Sequence, residues 1–449
     1  MKRKTFLRLS SMIAAAPLLD PVKGLARPPK LKNWAGNIEY STANVVYPST
    51  VQEVQSIIQK TTDLRLLGTR HCFNRIADSK HELISTKNLN KILSLDTSAK
   101  TVTVEAGIKY GELAPYLHEK GFALHNLASL PHISVGGACS TGTHGSGVNN
   151  SNLSSQVKEL EMVIADGTVI NFSREKDKEH FGGTVVSLGA LGAITKITLD
   201  LQPTFMMRQN VFEKMPLTEL QNHFEEVVSA GYSVSLFTDW QSESINEVWI
   251  KRVDDEGTNY QEMQEFFGAK AATRNLHPIS SLSAENCTGQ MGVPGPWYER
   301  LPHFKMGFMP SSGKELQTEY FIPFEHGMEG IIAIQKIGQQ IGPHLLISEI
   351  RTINADNLWI SPCYRQKSVA IHFTWKQDWE SVSRLLPVIE NALAPYNVKP
   401  HWGKLFTLSP KVLTSRHTKF EDFKKLALQY DPKGKFHNDF LKPLFSAVS

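Results

Sequence analysis

Short apolar runs broken by polar turns fill the first part of the chain. Asn44–Tyr47 predicts a strand, stopped by Pro48. Thr50-Val51-Gln52-Glu53 then opens a helix through Gln59, because a threonine cap and a glutamate three positions later satisfy the first backbone donors. Leu64–Leu67 is the next strand, and Ile92–Leu95 and Thr101–Val104 form a hairpin around Asp96–Lys100. A helix over Tyr110–Lys120 ends at Gly121. Leu160–Ile164 and Thr168–Phe172 flank Asp166-Gly167, a strong hairpin turn, and Ala193–Leu201 is a strand ending at Pro203.

Broader strands follow at Tyr232–Phe237, Glu247–Arg252, Glu319–Pro323, Leu345–Thr352 and Val369–Trp375. Helices over Gly327–Ile341 and Trp379–Leu393 separate them, which suggests an antiparallel sheet with helices on one side. Residues 253–313 lack periodicity and are rich in Gly, Pro and Asn, so they read as extended loops. The fold class is therefore α+β, with a first domain over residues 33–203 and a second beginning at 204.

With 449 residues, 41% of them hydrophobic, the chain can bury two ordinary cores. Its formal charge of +4 is carried by Lys2, Arg3, Lys4, Arg8 and Lys23 against Asp20, all within residues 1–26, so the remainder is neutral. A neutral body gives no reason to expect nucleic acid or an anionic membrane as partner. Residues 1–26 read as an export signal: a basic start, an apolar run from Leu9 to Leu19 too short to span a membrane, and small residues at Gly24-Leu25-Ala26. Arg3-Lys4-Thr5-Phe6-Leu7-Arg8 is similar to a twin-arginine motif with one arginine replaced by lysine; the expected location is periplasmic. Cys72, Cys139, Cys287 and Cys363 are too scattered for a metal site or a disulfide framework, and read as small buried thiols. His144, His180 and His437 have carboxylates nearby but no coherent ligand spacing, so no metal is expected.

Two segments carry the chemistry. Leu66–Asn74, Leu-Leu-Gly-Thr-Arg-His-Cys-Phe-Asn, places His71 in a turn after an apolar strand. Ala128–Gly147, ASLPHISVGGACSTGTHGSG, sets five glycines among small hydroxyl residues, so that backbone amides can cradle a pyrophosphate. This pair, in this order, resembles the flavin-binding half of the vanillyl-alcohol-oxidase superfamily. Further segments, among them Asn33–Asn37, Ser348–Thr352, Ala370–Trp375, Pro400–Thr407 and Asp431–Phe440, are similar to the bacterial alditol oxidases of the xylitol-oxidase type. The resemblance implies a PCMH-type FAD-binding domain, a cap or substrate domain over residues 204–430, and a segment 431–449 returning to the flavin.

The resemblance implies that Leu67, Gly68, Thr69, Arg70, His71 and Cys72 hold the flavin, with His71 its covalent anchor. Considered as a residue alone, His71 could equally hydrogen-bond the turn. Arg70 stands where glycine is frequent and could pair with the pyrophosphate or point to solvent; Cys72 replaces the usual serine. Ser129, Ser134, Gly137, Thr141, Gly142, Thr143, His144, Gly192 and Ile194 match further flavin contacts, although Ile194 could be plain strand packing.

Glu349 and Arg351 share a strand face, as do His372 and Thr374. A carboxylate beside a guanidinium suits a vicinal diol, since one accepts and the other donates, but such a pair is also a common surface ion pair. By resemblance Ser129, Glu349, Arg351, Thr374 and Lys404 bind substrate. Lys404 and Arg351 would stabilise a developing alkoxide and His372 would accept the hydroxyl proton. The implied reaction oxidises the terminal hydroxyl of an open-chain polyol such as xylitol or sorbitol to the aldose and returns electrons to oxygen as hydrogen peroxide. Ala128 stands where the superfamily controls oxygen access to the flavin. The alternatives are a sugar-lactone or hydroxy-acid oxidoreductase, or a binding protein without turnover.

Overall fold

The computed structural model describes residues 30–254, 261, 263–307 and 314–447. The expected leader, residues 1–26, lies outside them, as does part of the 253–313 loop region. A small parallel sheet orders Val45–Val46, Glu82–Ser85 and Leu64–Leu67, so the strand leading into the histidine turn lies on its edge. The helix Val51–Lys60 beside it is capped as its sequence requires: Thr50 Oγ1 accepts from the Glu53 amide at 3.2 Å, and Glu53 Oε2 accepts from the Ser49 amide at 2.7 Å. A five-stranded antiparallel sheet orders Ile92–Asp96, Thr101–Glu105, Ala193–Asp200, Val157–Val163 and Val169–Ser173. Gly167, at φ +89°, makes the tight turn between the last two strands.

The second region is built on a ten-stranded sheet. Its central order is Met206–Pro216, Ser244–Val253, Ser233–Thr238, Leu345–Ile353, Ser368–Lys376 and Glu315–Pro323. Alternation divides the faces. Tyr320, Ile322, Ile350, Val369, Ile371 and Phe373 point to a core shared with the helices Gly327–Gln335 and Trp379–Leu393. The intervening positions, including Gln317, Glu319, Glu349, Arg351, His372 and Thr374, line the cavity against the first region.

Four local expectations are corrected. Val135–Thr141, inside the glycine-rich run, is a short helix ended by Gly142 at φ +68°. Met206–Pro216 is an eleven-residue strand that its irregular Arg, Gln and Asn content concealed; Gln209 and Asn210 are buried within it. The helix expected over Gly327–Ile341 breaks after Gln335, and Gly338 restarts it where a Cβ would lie 2.2 Å from the Trp240 carbonyl. The helices Pro410–Arg416 and Phe420–Tyr430, expected to belong to the cap region ending at 430, instead bury Leu413, Phe420, Phe423 and Leu426 in the core of the first region. Beyond them, the Lys435 carbonyl accepts from the Leu64 amide at 3.0 Å, and Asn438 Nδ2 donates to the Asp78 carbonyl at 2.8 Å.

Candidate active site

The strand Leu64–Leu67 ends at Gly68, where a Cβ would sit 2.6 Å from Ser134 Oγ; one on Gly137 would sit 2.9 Å from the same atom. The backbone of the histidine turn and that of the glycine-rich run therefore meet with no room for side chains. Ser134 Oγ is buried there without a hydrogen-bond partner, while its amide donates to Thr69 Oγ1 at 3.3 Å. Thr141 Oγ1 lies 3.3 Å from Thr143 Oγ1. Gly192 packs so closely that a Cβ would fall 2.6 Å from the Val163 carbonyl, and Ile194 lines the cavity nearby. Arg70 sits at φ +64°, which explains why a glycine suits this position; its Nη1 donates to the Lys32 carbonyl at 2.9 Å.

His71 is held between Trp34 and His132, with ring centroids 4.5 and 4.7 Å away. Both its ring nitrogens are buried without a partner. Burial, then His132 and Lys404, hold its pKa well below the ordinary range, so the imidazole is neutral.

Across the cavity, register aligns the ionisable groups. Glu319 pairs with His372 and His372 with Glu349 across three neighbouring strands, and Gln317, Thr374 and Ile347 form the next row. Arg351 Nη2 donates to Glu319 Oε1 at 2.5 Å, Arg351 Nε lies 3.6 Å from Glu349 Oε1, and Arg351 Nη1 reaches Ser129 Oγ at 3.4 Å. Burial alone would raise the pKa of both carboxyls. Arg351 and the neighbouring histidines outweigh it and hold both well below the usual carboxylate range. His372 Nε2 is 3.2 Å from Gln317 Oε1, and Lys404 Nζ donates to the same oxygen. Burial, with Lys404 adding to it, pushes His372 down to about 3. Lys404 is itself lowered by burial, against the pull of Glu319.

Two families match. An FAD-binding-domain family covers residues 42–173, and a D-arabinono-1,4-lactone oxidase family covers residues 306–444. An alditol oxidase of a Streptomyces species is 45% identical over 415 residues, 92% of this chain and 98% of that protein. The chain belongs to the alditol oxidase family of FAD-dependent oxidases. Relatives of this chain at lower identity include a Bos taurus L-gulonolactone oxidase, 25% identical over 93% of this chain and 98% of that protein. A Mycobacterium tuberculosis L-gulono-1,4-lactone dehydrogenase is 26% identical over 92% and 98%. Cholesterol oxidase from B. sterolicum shares the fold alone, with a TM-score of 0.74, 15% identity and coverage of 96% of this chain and all of that one.

The residues present fit FAD, the alditol oxidase cofactor. The partnerless Ser134 hydroxyl, the abutting glycines and the unpaired His71 nitrogens are what a diphosphate and a ring system would complete. The lining brings together every residue expected from the sequence except Ser134 and Gly142: Leu67 to Cys72, Ser129, Gly137, Thr141, Thr143, His144, Gly192, Ile194, Glu349, Arg351, His372, Thr374 and Lys404 all reach one cavity. Ser134 sits just behind it and Gly142 ends the short helix. His144 lines the cavity as expected, and its Nε2 also lies 3.2 Å from Glu319 Oε1. Sequence reasoning missed Glu319, Gln317, His303 and His401. Gln317 and Glu319 are two apart on Glu315–Pro323, so they share one face of the strand, the same spacing that singled out Glu349 and Arg351. His303 lies in a loop without periodicity and gave no such signal.

Proposed function

We propose that this oxidase acts on the terminal hydroxyl of an open-chain polyol such as xylitol or sorbitol, giving the aldose, with oxygen reduced to hydrogen peroxide. The observation that carries this reading is the buried row Glu319–His372–Glu349, flanked by Arg351, Ser129 and Lys404. A polyol presents hydroxyls at successive carbons, and this wall offers acceptors and donors in succession. When bound, FAD supplies the two-electron acceptor. Lys404 stabilises negative charge developing on the reacting oxygen. His372, neutral and facing Gln317 and Lys404, receives the hydroxyl proton at a ring nitrogen. Glu349, Arg351 and Ser129 fix the remaining hydroxyls and so orient the chain.

A lactone is the second reading, favoured by the family matched over residues 306–444. Anaerobic mixing separates the two: xylitol and sorbitol should bleach the flavin within seconds, and sugar lactones and 2-hydroxy acids should not. Bleaching by lactones alone would overturn the polyol assignment. We further propose that a His71 ring nitrogen would hold the flavin covalently, because its neutral, unpaired nitrogens are available as nucleophiles. The C–N bond would replace the imidazole N–H and one flavin C–H, and the two hydrogens, as two protons with two electrons, would pass to oxygen as hydrogen peroxide. Wild-type protein on a denaturing gel should fluoresce at the protein band and His71→Ala should not; a dark wild-type band excludes the bond.

A further inference from the structure

Lys251 lies on the central strand Ser244–Val253, wholly buried, and no step above uses it. Its Nζ has three neighbours: the Leu301 carbonyl at 2.5 Å, the Pro302 carbonyl at 3.2 Å and His303 Nδ1 at 3.1 Å. The other nitrogen of that imidazole, Nε2, is 2.7 Å from Glu349 Oε1. The edges of Phe237 and Trp249 clamp the ring, at centroid distances of 5.5 and 5.3 Å. The His303 and Phe304 amides both donate to the Ser129 carbonyl, at 3.1 and 3.3 Å, which ties the segment to the opposite wall of the site.

With Glu349 ionised, donor and acceptor accounting leaves two arrangements: an ammonium donating to Nδ1, or an imidazolium donating to a neutral amine. Burial lowers His303 to about 4 and Lys251 only to about 7, so the shared proton rests on the amine. An ionised carboxylate only accepts, so Nε2 must carry a hydrogen toward Glu349. A neutral imidazole has one N–H, so Nδ1 must accept. Its donor is Lys251, and two carbonyls claim the other two hydrogens, so the amine is an ammonium with all three donors used. We infer that Lys251 is a positioning residue of this oxidase: it locks His303 as the Nε2–H tautomer, and His303 in turn holds Glu349 Oε1, leaving Oε2 for a substrate hydroxyl. Lys251 touches neither substrate nor cofactor in this arrangement; His303 and Glu349 line the cavity and Lys251 does not. Burial pushes His303 down to about 4, with Lys251 adding to the effect, which agrees with a neutral ring.

The kinetic part of the test rests on the polyol reading; the spectroscopic part does not. In wild-type holoenzyme carrying nitrogen-15-labelled histidine, with the His303 signals assigned by their loss in His303→Gln, Nδ1 should show the shift of an unprotonated acceptor and Nε2 that of an N–H. In Lys251→Met, the signals should move toward a tautomer mixture. Anaerobic reduction by xylitol should then need at least tenfold more substrate for half-saturation, with the limiting rate falling less than threefold. Adding Lys251→Met to Glu349→Gln should change the half-saturating concentration less than twofold, because the relay no longer has a carboxylate to hold. A protonated Nδ1 in wild type overturns the inference whatever the variants do. So does a Lys251→Met effect that multiplies with that of Glu349→Gln. If no polyol reduces the wild-type flavin, the functional reading fails and the wild-type nitrogen shifts alone decide the tautomer.

Discussion

The two walls of the cavity are made of different material. The wall formed by Gly68–Cys72 and Ser134–Thr143 is mostly backbone: short stretches of chain whose glycines allow approach within the radius of a methyl group. The opposite wall is side chains, supplied by strands whose members are distant in sequence and meet only through sheet register, as Glu319, His372 and Glu349 do. A backbone wall recognises a ligand through groups every residue has, so its specificity lies in shape. A side-chain wall depends on particular charges taken out of water, where each removal leaves a partner exposed to a large penalty. Substitutions should therefore be costly on one side and mild on the other.

The largest effects belong to the side-chain wall. Lys404→Ala should slow flavin reduction by saturating xylitol roughly 100-fold or more, since a charge-stabilising donor is worth ~3 kcal/mol in the transition state. Stopped-flow absorbance measures this, and a near-normal limiting rate would remove Lys404 from the chemistry. Glu319→Gln should be felt first as lost stability. It removes one of the two carboxylates that neutralise the buried Arg351 guanidinium, and breaking a buried pair costs about 3–5 kcal/mol. Denaturant titration of the two proteins gives the difference; less than about 1 kcal/mol would mean that Glu349 alone suffices for Arg351.

A smaller effect is an absence. Burial, with Lys404 beside it, holds His372 at about 3, so its ring stays unprotonated and able to accept a proton well below pH 6. The limiting reduction rate should thus change less than about threefold between pH 8 and pH 4.5, whereas a base at the ordinary histidine value near 6.5 would lose roughly 100-fold over the last two units. An acid limb centred near pH 6.5 would assign the base elsewhere.

The same contrast explains what could be read from the sequence. The cofactor wall was legible because its residues are contiguous: a histidine turn and a glycine-rich run declare themselves by composition, although the short helix at Val135–Thr141 was hidden by its glycines. Glu349 with Arg351 and His372 with Thr374 were legible in pairs, because alternation puts positions two apart on one face. Which strands would lie side by side was not, since the paired residues are far apart in sequence: Glu319 and His372 are 53 residues apart, and Glu349 and His372 are 23 apart. Glu319 was thus overlooked on a strand whose existence had been recognised. Lys251 and His303 were further out of reach: a lysine in a strand reads as exposed by base rate, and only the closed fold shows it at 0% exposure.

The smallest expected effect tests the backbone wall. Ala128 is 8% exposed, lines the cavity and precedes Ser129, whose hydroxyl reaches Arg351. Its methyl faces the cavity and carries no charge, so a substitution there tests the proposed oxygen access without disturbing an ion pair. Ala128→Gly removes that methyl alone. The backbone contacts of the wall remain, and no buried polar group loses a partner. Polyol-reduced wild type should reoxidise in aerated buffer within its turnover time, and Ala128→Gly should do so at least as fast but within about tenfold, because the transfer value of a single methyl group is only ~1 kcal/mol. Reduction by xylitol should be unaltered within about twofold, since the charged wall is untouched. Stopped-flow mixing of reduced protein with oxygenated buffer measures the first rate. A wild type that stays reduced for minutes in air yet is reoxidised quickly by a quinone would make this enzyme a dehydrogenase. A large acceleration in Ala128→Gly would then locate the barrier to oxygen in that one methyl, and the backbone wall would owe its selectivity to a side chain after all.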